Sequence, residues 1–452
     1  MHTVTLSRGL SLPLPGAPQQ QISGHTAPIR RVALLGPDYR GMRPKLLVAE
    51  GDRVTKGAPL FAHKKFPTVL FTAPATGTVV AIERGARRAL LNVVIECDAD
   101  PNAEETRFEP IAPDALLDLD TEAVVSRLCA SGLWTALRTR PFGKIPDPAS
   151  RPAAIFVTAI DTRPLAADPV VVIGERPEAF RAGMAILAHL TDGKIYLCQA
   201  PGEHLPMPEG ARYRSVAFAG PHPAGLPGTH IHFLEPVSLE RTVWYLNYQD
   251  VIAIGTLFLE GRIDTERVVA LGGEMVRQPR LVRVPLGASI EALLEGELCD
   301  GPCRPISGSP LDGRRAIGPL AYLGRYHLQV SVLPEPKRDD KPLLGWINPL
   351  LPRFSLFRVL FNRNEAPRFT TAEQGSPRAM IPTGIFEEIC PLEILPTQLL
   401  RYLVVGDTDM AQKLGCLELE EEDVAIFSFA CVGKTDYGAY LRAALEKIER
   451  EG

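Results

Sequence analysis

The sequence predicts a multidomain α/β and α+β protein. Three observations carry this. Residues 41–96 string together short strands punctuated by Gly and Pro; residues 120–260 alternate helix-like and strand-like segments; and residues 391–451 are helix-like throughout. The expected units are an N-terminal region with a barrel-sandwich-hybrid (biotinyl/lipoyl-like) β domain at 1–100 and a Rossmann-like α/β domain without a cofactor loop at 101–256. An SLBB/ubiquitin-like grasp domain at 257–335, an apolar Pro-rich connector at 336–390 and a C-terminal helical domain at 391–452 follow.

The bulk numbers agree with several domains. The chain has 452 residues, 45% hydrophobic and 23% charged, with 42 Pro and 38 Gly. A net charge of −4 gives no basic field to attract nucleic acid, so none is expected as a partner. No signal-peptide core opens the chain, since Leu10, Leu12 and Leu14 alternate with Ser11, Pro13 and Pro15. No apolar run reaches the roughly 18 residues of a membrane span. The longest candidates, such as 251–259, read as buried strands.

In the first unit, Glu50-Gly51-Asp52 and Lys56-Gly57-Ala58-Pro59 are turns, Val69-Leu70-Phe71 is a strand, and the turn around Gly77 leads into Val79 to Ile82. Carrier domains of this order display a modified lysine at a hairpin tip, here Lys64 or Lys65. The usual Met-Lys-Met or Asp-Lys-Ala context is missing, so an unmodified copy is expected. In the second unit, 120–137 reads as helix, 155–160 as strand, 169–173 as a further strand, 179–190 as helix, and 194–198 and 215–218 as strands. The grasp-like unit is strand-rich, with a short helix at 289–294 and a strand at 328–333. In the connector, the greasy stretch 341–361 is broken by Pro342, Pro349 and Pro352; a buried loop and a docking surface both stay open. In the tail, Leu399, Leu400, Leu403 and Val404 form one stripe, and Leu441, Leu445 and Ile448 another.

Signals that imitate chemistry resolve into bland readings. Gly433-Lys434-Thr435 follows an apolar run at 425–429 that reads as a strand, but Ser428 stands where a phosphate loop needs Gly. His222, His230, His232 and Glu235 cluster, and His230 and His232 would share a strand face as metal ligands do; with Pro221, Pro223 and Pro227 around them, loop-stabilising histidines are expected. The run Glu420 to Asp423 reads as a solvated segment. Eight scattered cysteines show no Cys-x-x-Cys pair, so neither zinc nor an iron–sulfur centre is expected.

Six segments carry a resemblance. They are Gly-Leu-Trp-Thr-Ala-Leu-Arg-Thr-Arg-Pro-Phe at 132–142, Gly-Pro-His-Pro-Ala-Gly-Leu at 220–226, Asn-Tyr-Gln-Asp-Val-Ile-Ala at 247–253, Tyr-Leu-Gly-Arg-Tyr-His at 322–327, Gly-Met-Arg-Pro at 41–44 and Gly-Asp-Thr-Asp at 406–409. Together the chain, from Gly9 to Gly452, resembles the family of A subunits of the bacterial sodium-translocating NADH:quinone oxidoreductase. The resemblance implies a peripheral protein on the cytoplasmic face of the bacterial inner membrane, held chiefly against the B subunit. The complex passes electrons from NADH to ubiquinone (EC 7.2.1.1) and exports sodium. It also implies a layout similar to the flavin-binding subunit of respiratory complex I and to the C subunit of the Rnf complex. Those relatives carry a flavin-binding glycine loop and a cysteine-ligated cluster. Here bulky residues 133–140 replace the glycines and the tail keeps only Cys416 and Cys431. No flavin, iron–sulfur centre, metal or catalytic residue is therefore expected on this chain; the flavins and the iron–sulfur centre fall to partner subunits.

A scaffold is the expected role, with contact to ubiquinone left open. Trp134, Arg138, Arg140 and Phe142 are the candidates for a quinone or partner contact, as an aromatic wall with cationic donors. Two rivals remain: a stand-alone carrier or binding protein built on the lipoyl-like domain, and a flavin-binding NADH dehydrogenase module.

Overall fold

The computed structural model describes residues 2–23, 28–336, 369–372 and 378–451. The segment 341–361 discussed above lies outside the described residues.

The barrel-sandwich layer contains a four-stranded antiparallel sheet, in the order Arg31–Leu35, Leu90–Cys97, Gly77–Arg84, Arg53–Val54. It faces a three-stranded one, Pro44–Leu46, Pro59–His63, Leu70–Thr72. Val32, Leu60, Phe61, Val69, Phe71, Val79, Val93 and Ile95 are buried between them. Phe61 and Phe71 stack with ring centroids 4.5 Å apart. The turn after His63 leaves Lys64 and Lys65 exposed at a hairpin tip, as the carrier-like order predicts.

The chain's opening residues serve other layers. His2–Thr5 adds in parallel to Tyr213–Ala219 at the edge of the α/β sheet, and Gln19–Ser23 adds in parallel to Arg280–Pro285 in the grasp sheet.

The α/β sheet has six strands: His2–Thr5, Tyr213–Ala219, Lys194–Gln199, Ala154–Ala159, Val243–Asn247 and Arg138–Arg140. All are parallel except Arg138–Arg140, which runs antiparallel to Val243–Asn247. Ala154–Ala159 is buried along its whole length, as its apolar run predicts for a central parallel strand.

Two segments that read as strands are helices. Residues 251–259 lie in the helix Tyr248–Glu260. The Asn247 side chain caps its first turn by accepting from the amides of Gln249 and Asp250, and left-handed Gly261 ends it. This helix is buried on nearly every side, which erases the 3.6-residue alternation that marks a surface helix. It packs against Pro177–Leu187 so closely that a Cβ on Gly255 would fall 1.7 Å from the Ala179 carbonyl oxygen. The second such segment is the helix Pro169–Gly174, started by Asp168, which accepts from the Val170 amide, and by Pro169 in its first turn. The helix expected at 120–137 splits into Thr121–Ala130 and a 3-10 turn, Leu133–Ala136.

The grasp layer is a six-stranded mixed sheet in the order Arg314–Arg315, Cys303–Ser307, Gln329–Pro334, Glu266–Gly272, Arg280–Pro285, Gln19–Ser23. Its short helix Ile290–Leu293 is capped by Ser289, as expected. The C-terminal layer packs Ile385–Ile389, Pro396–Val405, Thr408–Lys413, Glu421–Ala430 and Tyr437–Glu451 around a separate core of Phe386, Leu399, Leu400, Leu403, Phe427, Leu441, Leu445 and Ile448. Val404 is not part of that stripe; it is 42% exposed. Residues 425–429 are helical rather than extended, so Gly433-Lys434-Thr435 sits in a helix-to-helix turn and not after a strand. Among the described residues, no helix is long and apolar enough to cross a membrane.

Candidate functional site

Strands Ala154–Ala159 and Val243–Asn247 lie side by side and parallel, yet their connections leave in opposite directions. The first leads on to Lys194–Gln199 on one flank; the chain returns to the other flank only at Val243. Their carboxyl ends therefore part into a crevice, the place where open α/β sheets bind ligands. A cavity of about 380 Å³ fills it. Thr158 and Asp161 line it from one strand end, Asn247 and Tyr248 from the other. Tyr326 and His327 close it from the grasp layer, and Glu420 to Glu422 from the C-terminal layer.

The four candidate contact residues do not form one wall. Trp134 is fully buried; its indole N–H donates to the Pro146 carbonyl at 2.9 Å and its ring meets Trp244 edge-on at 5.5 Å. Arg140 is fully buried as well and donates to Asp423 at 2.8 Å and Glu422 at 3.0 Å. Phe142 packs against the C-terminal core, and its carbonyl accepts from Arg442 at 3.0 Å. Only Arg138 lines the cavity. Its guanidinium lies 4.5 Å from the ring centroids of both Tyr245 and Tyr326. Among the described residues it makes no hydrogen bond or ion pair, so it is a cation held by rings with its donors unspent.

The acidic run is not solvated. Glu420 and Asp423 are 3% and 5% exposed, and the run starts the helix Glu421–Ala430 with a capping box. Arg442 holds Glu420 and Glu421, Arg40 holds Glu421 at 2.5 Å, and Arg163 holds Glu422 at 2.6 Å together with Asp161 and Asp312. Arg140 completes the cluster. Burial, together with the neighbouring Glu421 charge, pushes the Glu420 carboxyl up to about 7 despite its arginines. Burial opposes ionisation of Glu421 too, but the hydrogen bond and charge of Arg442, with Arg40, hold it down at about 2. The cluster clasps the C-terminal layer to the mouth of the crevice. His232 adds a second strut, meeting Glu418 at 2.5 Å on one nitrogen and accepting from the Glu393 amide on the other.

The histidines fill structural roles and do not share a strand face. His230 and His232 lie on the helix Pro227–Leu234. His230 is buried against Phe218 and hydrogen-bonds the Ala224 carbonyl; burial lowers it to about 3. His222 pairs with the Thr162 hydroxyl and burial lowers it to about 4. No group of His, Cys, Asp and Glu able to hold a metal occurs among the described residues.

The crevice suits a phosphate poorly. The turn that replaces a glycine loop bonds its own amides: Thr135 donates to Gly132, Leu137 to Trp134, and Leu133 reaches the Ser131 hydroxyl at 3.4 Å. Of the arginines that line the cavity, Arg40, Arg163 and Arg314 already hold the chain's own carboxylates, which would repel a second anion. Several polar atoms around the cavity lack partners among the described residues, however: the Thr158 and Tyr245 hydroxyls, Glu420 Oε1, and Arg314 Nε and Nη2. Sequence reasoning missed Tyr245, Tyr326, Thr158 and Glu420 as site residues. The only signal was the segment 322–327, whose Tyr326 donates its hydroxyl to the Thr135 carbonyl at 2.8 Å.

These features define a class: a barrel-sandwich, an α/β and a grasp layer around a nucleotide-type crevice that the chain's own acidic helix closes. Three family models match along the chain. They are the NqrA N-terminal barrel-sandwich hybrid domain at 4–98, the NqrA second alpha/beta domain at 119–263 and the NQRA C-terminal domain at 268–317. The A subunit of the Na(+)-translocating NADH-quinone reductase of Klebsiella pneumoniae (strain 342) is 54% identical over 452 residues, covering 99% of this chain and all of the relative. The proteins of the same name from Pseudomonas aeruginosa (strain UCBPP-PA14) and Pasteurella multocida (strain Pm70) are 54% and 52% identical, over 99% of this chain and all of each relative. The chain belongs to the family of Na(+)-translocating NADH-quinone reductase A subunits.

Proposed function

We propose that this chain is the peripheral, non-redox A subunit of a sodium-pumping NADH:quinone reductase, placed on the cytoplasmic face of the inner membrane and held mainly by the B subunit. Flavins and the iron–sulfur centre belong to partner subunits. Full-length identity to proteins of that name supports the assignment. The single structural observation that carries the non-redox reading is the acidic wall of the crevice. Glu420 to Glu422, paired to Arg140, Arg163 and Arg442, line the cavity that a flavin or dinucleotide would enter and would repel its phosphate. The layers divide, in this reading, near residues 100, 256, 335 and 390.

One observation favours a second role within the first. Arg138, between Tyr245 and Tyr326 and facing unpartnered hydroxyls, offers a flat wall and a free cationic donor to a quinone head group. Trp134, Arg140 and Phe142 then act as its scaffold. The test is a pair of variants in the assembled complex, Arg138→Gln and Trp134→Phe, with ubiquinone KM and assembly of the complex measured separately. A raised quinone KM with intact assembly in Arg138→Gln, and not in Trp134→Phe, is the expected result; unchanged KM with lost assembly rejects the pocket. A visible spectrum of the purified chain tests the non-redox reading, which requires no flavin bands.

A further inference from the structure

The barrel-sandwich layer sets cations directly opposite each other at a sheet edge. Strand Pro44–Leu46 is an edge, paired only with Pro59–His63. The pairing runs one residue past the strand ends, where the Lys64 amide donates to the Arg43 carbonyl at 2.8 Å. That register sets Arg43 directly opposite Lys64, with Lys45 two residues along on the same face. Lys65 follows in the turn, its ammonium 5.0 Å from the Phe66 ring. All four cations are exposed, and none of them makes an ion pair among the described residues.

Like charges directly opposite each other on paired strands repel. Several cations elsewhere are neutralised within the chain. Arg53, Arg280, Arg304 and Arg442 all fork onto carboxylates, and Lys144 nearby is paired with Glu449 at 2.5 Å. The edge cations have no such partner, in a chain whose net charge is −4. Their field reaches the neighbouring His63, which burial and then the charges of Lys65 and Lys144 hold below its ordinary value. Apolar groups flank them: Leu47, 45% exposed, continues the outward side of the edge, and Phe66 and Pro67 form the turn.

We infer that this edge and turn dock on an anionic phospholipid surface, through Arg43, Lys45, Lys64 and Lys65, with exposed Leu47 entering the headgroup layer and Phe66, packed on His63 and the core, holding the turn. Lysine supplies three of the four cations. A compact ammonium attracts without direction, which matches a diffuse layer of headgroup phosphates better than the fixed carboxylates of a protein groove. An exposed hydrophobe beside cations is the composition of interfacial anchors. The inference deepens the peripheral placement proposed above and is independent of the quinone cavity.

The test uses the full chain and sedimentation with vesicles of phosphatidylcholine alone or with one third phosphatidylglycerol. Binding to the anionic vesicles only is expected. Combining Arg43→Gln, Lys45→Gln, Lys64→Gln and Lys65→Gln should lower that partition by roughly a hundredfold or more, since each basic residue at such a surface contributes roughly fivefold. The control combines Arg84→Gln, Arg87→Gln and Arg88→Gln at a separate exposed hairpin and should keep most of the binding. Arg138→Gln should keep all of it, which separates failure here from failure of the cavity reading. If the fourfold variant does not fold, the turn pair Lys64→Gln and Lys65→Gln changes two exposed side chains and no backbone bond, and should still lose more than tenfold. Unchanged partition in the variants would mean that the cations merely guard the strand edge, and overturns the inference. So does equal loss in the control, which reduces the effect to net charge. Absence of vesicle binding, with loss of partner subunits from a complex carrying the variant, assigns the edge to an acidic protein and overturns it as well.

Discussion

The crevice mouth and the barrel-sandwich edge put basic residues to opposite uses. At the crevice, Arg40, Arg140, Arg163 and Arg442 are matched against Glu420 to Asp423, Asp161 and Asp312 in a cluster that is mostly buried. At the edge, Arg43, Lys45, Lys64 and Lys65 stand in water with no carboxylate among the described residues. Burial decides the difference. A guanidinium out of water must be paired or it costs several kcal/mol, whereas an exposed cation is tolerated by solvent. The first arrangement is an internal joint, fixed once the chain folds. The second is available to something outside the chain.

The joint should break hard. Arg140→Met leaves Asp423 without its buried partner and Glu422 with Arg163 alone, and a broken buried pair costs about 3–5 kcal/mol. Thermal or urea unfolding should show the C-terminal layer melting first. Adding Asp423→Leu to Arg140→Met should recover part of that loss, because the stranded charge is gone. If the single variant costs less than about 1 kcal/mol, the cluster is solvated after all and the contrast with the edge disappears.

A smaller effect separates the members of the joint by pH. The Glu420 carboxyl titrates near 7 when folded and near 4.5 in its ordinary state, so the folded chain binds the extra proton between those values. Stability from this group is present in full below about 4.5 and declines as pH rises to about 7. Glu421 runs the other way: its contribution is present above about 4.5 and is lost as pH falls toward 2. Glu420→Gln should remove a component of the midpoint that falls with pH between 4.5 and 7, so the variant gains on the wild type as pH rises through that window, and the acid limb stays in place. His222 and His230, held neutral by burial, make the stability of both chains rise toward pH 6.5, so the comparison of the two profiles is what decides: an unchanged difference between wild type and Glu420→Gln across the window contradicts the buried neutral acid.

The joint is hard to read in the sequence for a simple reason. Arg140 and Asp423 are 283 positions apart, and a row of four acids looks the same whether its partners are water or distant arginines. The central strands are legible because a parallel strand buried on both faces is a short apolar run with turn signals at its ends, as at Ala154–Ala159 and Lys194–Gln199. The same rule fails at Tyr248–Glu260, since a helix buried all round is also an apolar run, and only Asn247 and Gly261 mark its ends. Pro227 misleads in the same way. In the sequence it interrupts a strand, yet it stands in the first turn of the helix that carries His230 and His232. Of the candidate site, Arg138 is legible as a cation among aromatic residues. Tyr245 and Tyr326, which make it a site, come from a strand and a loop far along the chain, and no local pattern announces such a meeting.

The edge offers the smallest effect, and its sign matters more than its size. If Arg43 and Lys64 face each other unneutralised, removing one of them relieves a repulsion of roughly 0.2–1 kcal/mol. Arg43→Ser should therefore leave the isolated chain as stable as before or slightly more stable, in contrast to Arg140→Met, although both remove one arginine. Salt sharpens this, because exposed charges lose most of their interaction beyond about 10 Å at 0.1 M ionic strength. The gain should fade in high salt, while the Arg140→Met loss persists. A clear loss of stability in Arg43→Ser, unaffected by salt, would show that the arginine supports the fold from within and is not held out for a partner.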